Sequence, residues 1–249
     1  MYTNGYIFRY AAIMVIIAAA VLSTSAVLLK PFQDRNMAIE KMGGILASAQ
    51  IEGVETENTI ELFNKYVVEE IVVDQNGNVV ESFKEGAKED GKAFKINMKT
   101  ELYKKKKGEN FELPIYIVEK DGIKTYIFPL RGAGLWGPVW GNMALNADLN
   151  TVKGVTFDHK GETPGLGAEI TTKGFTSQFA GKTIFDESGK FKSIKVKKGG
   201  VKTMPANEQI HGVDAISGGT ITSDAVGEMI ANVIDGYLPY IEREKEDPR

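Results

Sequence analysis

The chain has 249 residues, 43% hydrophobic and 25% charged, with a formal net charge of −3, a composition that suits a globular protein with a real core. The slightly acidic balance argues against a general nucleic-acid binder, whose surface is basic. There is no cysteine and there are two histidines, His159 and His211, which excludes disulfides, thiolate zinc sites, cysteine nucleophiles and iron–sulfur ligation within the chain and argues against a multi-histidine metal site.

After a short tail at residues 1–9, residues 10–29, "YAAIMVIIAAAVLSTSAVLL", carry no formal charge. As a helix this stretch reaches about 30 Å, the thickness of a bilayer's hydrocarbon core. Arg9 and Lys30 bracket it, and Tyr2, Tyr6 and Tyr10 suit a membrane interface. The competing reading is a signal peptide, with "TSA" at residues 24–26 as its cleavage site, but the apolar run is long and the segment before it barely basic. A retained single span in membrane lipid is expected. Arg9 on one side and Lys30, Arg35 and Lys41 on the other give no orientation.

Residues 34–46 read as a helix leaving the membrane. Residues 57–67 read as a short helix with Ile60, Phe63, Tyr66 and Val67 on one face. "EIVVDQNGNVVES" and "LPIYIVEKDGIKTYIFPL" each read as a hairpin, turning at Asn-Gly and at Asp-Gly. Between them lies a charged stretch whose "KKKK", residues 104–107, is expected to be a solvated loop. A glycine-dense stretch with both tryptophans follows, then strands at "TVKGVTFDH" and "FKSIKVKKG". The final helix is expected to start after Ser223. Val226, Met229, Ile230, Val233, Ile234, Tyr237 and Leu238 form its apolar stripe, and Pro239 with the charged tail ends it. The pattern predicts an α+β fold: one transmembrane helix, then an antiparallel sheet with helices packed against it. The expected divisions are a membrane-proximal α/β extension at 30–107, a main domain at 108–240 and a charged tail at 241–249.

Three familiar patterns weaken on inspection. Gly132, Gly134 and Gly137 match GxGxxG, but Pro138 follows where a dinucleotide fold needs a helix. "AGKT" at residues 180–183 lacks the first glycine of a phosphate loop, since Thr176 stands there. No GxSxG surrounds Ser217, because Ala215 occupies the first glycine position. "SGGTITS", residues 217–223, has two readings. One is a turn ending in a Ser or Thr helix cap. The other uses the same helix start to hold an anion such as phosphate, on free N–H groups and the positive end of the dipole. His159, at the end of an expected strand, reads as a structural histidine.

"DAISGGTITS" closely resembles the flavinylation motif of FMN-carrying membrane subunits. "GLWGPVWG" and "HKGETPGLGAEI" resemble the Gly-Leu-Trp and Glu-Thr-Pro-Gly-Leu-Gly elements of the same family, in the same order behind one N-terminal span. The family is that of the C subunits of sodium-translocating NADH:quinone reductases. The G subunits of RNF electron-transport complexes share its FMN domain but are usually shorter before the Gly-Leu-Trp element. The resemblance is most specific over residues 130–223. It implies that Thr220 carries FMN through a phosphoester, attached by a separate Mg-dependent flavin transferase that uses FAD. Ser217, Gly218, Gly219 and Thr222 would shape the site around the phosphate. Gly219 departs from the family's usual alanine and is expected to loosen the loop. Leu135 and Trp136 would form a flat apolar wall for the flavin ring. Glu162, Thr163, Pro164, Gly165, Leu166 and Gly167 would offer donors and acceptors to its polar edge. The implied function is electron relay, through covalent FMN, within a sodium-pumping NADH:quinone oxidoreductase in a bacterial inner membrane. The FMN domain would be periplasmic and would itself bind neither NADH nor quinone. The implied partners are the other subunits of the complex, with no nucleic acid. The competing functions are the RNF-type ferredoxin:NAD subunit and a membrane-anchored binding module with no redox role.

Overall fold

The computed structural model describes residues 3–84 and 88–247. Two units divide between Lys41 and Met42. Helix α1, Asn4–Ser48, runs through that division with Pro31 inside it. The apolar stretch and the expected exit helix are thus one helix, because a proline removes only one hydrogen bond from a long ladder. In the first unit this helix is long and apolar enough to cross a membrane.

The second unit is built on six strands: β1 (Val67–Asp74), β2 (Val79–Phe83), β3 (Glu112–Lys120), β4 (Ile123–Ala133), β5 (Pro138–Asn146) and β6 (Val152–His159). They form one antiparallel sheet in the order β2-β1-β3-β4-β5-β6. The expected extension and main domain therefore contribute to the same sheet, since β1 pairs with β3. The β3–β4 turn has positive φ at both Asp121 (54°) and Gly122 (76°), the twist that a two-residue hairpin needs. Strand β5 was not legible in the glycine-rich stretch. It forms because β4 and β6 supply partners on both sides.

The pleat sorts side chains by period two. Leu113, Ile115 and Ile117 of β3 and Tyr126, Phe128 and Leu130 of β4 face one core. Tyr116 and Val118 of β3 and Ile127 of β4 face a second. The second core is closed by Met42, Ile45 and Leu46 from the end of α1 and by Phe63 of helix α2 (Thr59–Tyr66). Helix α3 (Lys92–Lys95) is a single turn. The lysine run lies in helix α4 (Met98–Lys107), not in a loop. Asn97 caps its start by accepting from the Lys99 N–H, Gly108 ends it in the left-handed region, and the four lysines sit in the last turn, where the helix dipole favours cations. Lys105 reaches the Asn232 carbonyl and the Asp235 carboxylate, each at 2.8 Å.

Helix α5 (Lys173–Thr176) and the parallel pair β7 (Lys195–Lys197) and β8 (Gly212–Asp214) lead to helix α6 (Thr220–Glu246). The expected strand at "FKSIKVKKG" shrinks to the three residues of β7. Six of the seven stripe residues of α6 are buried and Leu238 packs beside them. The helix starts earlier than expected, at Thr220, and continues past Pro239. Tyr240 and Ile241 are buried against the sheet, and that burial outweighs the hydrogen bond that proline removes.

Candidate functional site

Three distant segments meet at the carboxylate of Glu162. The first is the tip of the β4–β5 hairpin, where the Gly134 N–H bonds the Gly137 carbonyl at 2.7 Å. The second is the loop after β6, and the third is the start of α6. Glu162 Oε1 accepts from the Trp136 N–H at 2.8 Å, and Oε2 accepts from the Thr222 hydroxyl at 2.6 Å. The Glu162 N–H in turn bonds His159 Nδ1 at 3.1 Å, which ties that histidine into the loop's backbone.

Packing matches this arrangement. A Cβ on Gly134 would stand 2.6 Å from Glu162 Oε1. A Cβ on Gly167 would stand 2.7 Å from Oε2 and would strike Thr222 Oγ1. Both positions need glycine because the carboxylate fills the space a side chain would use. Gly132 and Gly134 thus belong to a hairpin, not to a dinucleotide loop. Burial alone would push the Glu162 carboxyl up. The Thr222 hydroxyl, the Trp136 and Gly137 N–H groups and nearby His159 outweigh that and hold it below the usual carboxylate range.

The start of α6 follows from its local sequence. The Gly219 N–H bonds the Ile216 carbonyl at 3.1 Å, closing a turn with Gly218 at φ 76°, a conformation that glycine adopts without strain. The Ser223 hydroxyl donates to the Gly219 carbonyl at 2.6 Å and accepts from the Ile216 N–H at 3.2 Å. Among the described residues no side chain caps the helix: Gly219 is the N-cap residue, so the simple cap reading fails. The uncapped first turn of a 27-residue helix keeps its N–H groups and dipole available to an anion. Thr220 is its first residue and is half-buried, whereas Thr222 and Ser223 are buried with their hydroxyls engaged.

Gly219 is buried at the turn. A Cβ there would lie 2.7 Å from the Leu166 carbonyl oxygen, so the 163–166 loop rests directly on it. That loop is folded by the Leu166 and Ala168 N–H groups, which both bond the Thr163 carbonyl at 3.1 Å. Thr163, Pro164, Gly165 and Ser217 are exposed and Gly167 is buried. Trp136 is 70% exposed, Leu135 49% and Leu166 42%, so these apolar side chains are not spent on the core. Ile221, next to Thr220 in the sequence, is likewise exposed, at 62%. Sequence reasoning missed it and the Ser223 tie; the signal for Ile221 was its place off the apolar stripe of α6. Leu135, Trp136, Leu166 and Ile221 offer apolar surface, and the α6 start offers phosphate-compatible donors, so the residues present fit a flavin nucleotide. "AGKT" is structural instead: the Lys182 ammonium bonds the Gln209 carbonyl, and His211 Nδ1 lies 2.6 Å from the Thr183 carbonyl.

Residues 134–235 match the FMN-binding domain family, so the hairpin tip, the Glu162 loop and most of α6 lie in a flavin-binding class of domain. Two similar proteins are C subunits of Na(+)-translocating NADH-quinone reductase. The one from Vibrio anguillarum is 32% identical over 242 residues, covering 90% of this chain and 92% of that protein. The one from Pseudomonas aeruginosa is 31% identical over 230 residues, covering 88% and 87%. The crystal structure of the C subunit from Parabacteroides distasonis superposes with a TM-score of 0.72 at 38% identity, covering 86% of this chain and 96% of that one. That of the Shewanella oneidensis protein gives 0.65 at 27%, covering 84% and 98%. The chain belongs to the family of C subunits of Na(+)-translocating NADH-quinone reductases.

Proposed function

We propose that this chain is the electron-carrying flavin subunit of a sodium-translocating NADH:quinone reductase and that Thr220 holds FMN through a phosphoester. One observation carries the attachment: of the three hydroxyls in the first turn of α6, only that of Thr220 sits at a half-buried position, while Thr222 and Ser223 are buried in hydrogen bonds to Glu162 and Gly219. A flavin transferase would move the FMN phosphoryl group of FAD onto that hydroxyl: the Thr220 O–P bond forms as the pyrophosphate bond of FAD breaks, and AMP leaves with the hydroxyl proton passing to solvent. The α6 N-terminus and the 217–219 turn then face the phosphate. Leu135, Trp136, Leu166 and Ile221 shield the ring from water. The 163–167 loop supplies backbone polar groups, while the Glu162 carboxylate, already engaged twice, positions the segments instead of meeting the ligand.

When bound, FMN supplies the redox chemistry, and the protein sets its position and electrostatic surroundings. The other subunits of the complex deliver and remove the electrons, and NADH and quinone bind there. The α1 span anchors the chain in lipid of a bacterial inner membrane, with the FMN domain on the periplasmic side. In protein co-expressed with the transferase, the denatured gel band fluoresces yellow-green and the Thr220 peptide carries the mass of FMN. Thr220→Val abolishes both signals while the fold, read by circular dichroism, persists. A fluorescent Thr220→Val band would overturn the attachment.

A further inference from the structure

We propose that Glu162 is a fixed negative charge, built beneath the attachment turn, that holds down the reduction potential of the flavin. The proposal rests on FMN being attached at Thr220. Glu162 is 4% exposed, and a carboxylate withdrawn from water is stable only when its oxygens are engaged by donors. The Trp136 N–H and the Thr222 hydroxyl, from which it accepts, are neutral, so they stabilise the charge without cancelling it; of the groups that favour its charged form, nearby His159 is the one that can carry an opposing charge. The glycines at 134 and 167 leave space for this carboxylate. The segments it joins are the ones the flavin reading uses: Trp136 lies beside it, and Thr222 is two residues beyond Thr220 on the same helix turn.

The electrostatic consequence is direct. An electron delivered by the complex, or by a chemical reductant in solution, adds one negative charge to the flavin when no proton accompanies it. A buried anion nearby raises the energy of that reduced form more than that of the oxidised form. Protein around the carboxylate screens it less than water screens a surface charge.

Glutamine isolates the charge. Its amide oxygen can still accept from the Trp136 N–H. Its amide NH2 can donate to Thr222, whose hydroxyl both donates and accepts. The experiment uses the full-length chain, co-expressed with the transferase and purified in detergent. Peptide mass spectrometry first measures flavin at Thr220, and a mediated spectroelectrochemical titration at fixed pH then measures the midpoint potential. Glu162→Gln is expected to fold, to carry flavin at the wild-type level and to show a more positive potential. Asp224→Asn, which removes an exposed charge near the start of α6, is expected to leave the potential where it is. A Glu162→Gln potential equal to wild type overturns the proposal, as does an equal shift in Asp224→Asn. So does a Glu162→Gln protein that fails to fold or to take up flavin, because glutamine must then have lost the hydrogen bonds. A wild-type peptide without flavin overturns the Thr220 reading itself, and is distinguished because it appears before any potential is measured.

Discussion

At the scale of single residues, the Glu162–Thr222 hydrogen bond separates two threonines that stand two positions apart in sequence. Thr222→Val leaves a buried carboxylate oxygen short of a donor, which costs about 1–3 kcal/mol. Urea denaturation is expected to show that loss while flavin remains on Thr220. A folded Thr222→Val protein without flavin would place the ester on Thr222 instead. The pH dependence follows from the same carboxylate. Its folded pKa is depressed, so its contribution to stability is complete above the ordinary Glu value of about 4.3 and is lost as the pH falls through the lower folded value. Melting temperatures measured from about pH 6 down to about pH 3.5 should fall less steeply on the acid side for Glu162→Gln than for the wild type.

At the scale of elements, α6 joins the site to the rest of the sheet. Its first turn carries Thr220, and its middle is fixed by the Tyr237 hydroxyl, whose single proton is shared between the Pro114 and Pro129 carbonyls, 2.9 and 3.2 Å away. Its far end is pinned by Arg243, which donates to the Asn76 carbonyl at 3.1 Å, the Gly77 carbonyl at 3.2 Å and Asn78 Oδ1 at 2.7 Å. The β1–β2 turn thus lies against the helix backbone at Pro239 and Tyr240, and Gly77, at φ 74°, has no room for a side chain there. Arg243→Ala should cost about 1–2 kcal/mol and expose the turn, so limited proteolysis should cut faster near residues 75–78. An unchanged cleavage rate would count against the clamp. Flavin attachment, at the opposite end of α6, should be unaffected.

At the scale of the whole molecule, the end of α1 belongs to the second unit. Met42, Ile45 and Leu46 close the second core over Tyr116, Val118 and Ile127. Each contributes about 1.5–3 kcal/mol by burial. A chain starting a few residues before Met42 should therefore be soluble and fold cooperatively, whereas one starting at Ile51 should lose much of its thermal stability or fail to accumulate. Equal melting temperatures for the two would show that this face of the sheet needs no cover. The full chain should sediment with membranes through its apolar helix.

The sequence alone determined a good deal, wherever the signal was local or periodic. The uncharged run at residues 10–29, two short turns between β-branched runs and a stripe recurring at three and four were readable as span, hairpins and α6, because each depends on neighbours a few positions apart. The flavin motif was readable as a resemblance for the same reason. Tertiary structure decided what depended on distant partners. Strand β5 exists because β4 and β6 flank it. The lysine run became a helix with Asn97, Gly108 and Asp235 in place. The helix passed through Pro239 because the sheet buries the residues beyond it. Above all, only the fold could show that Glu162 faces Trp136 and Thr222, since a hydrogen bond across 60 residues leaves no trace in the spacing of either segment.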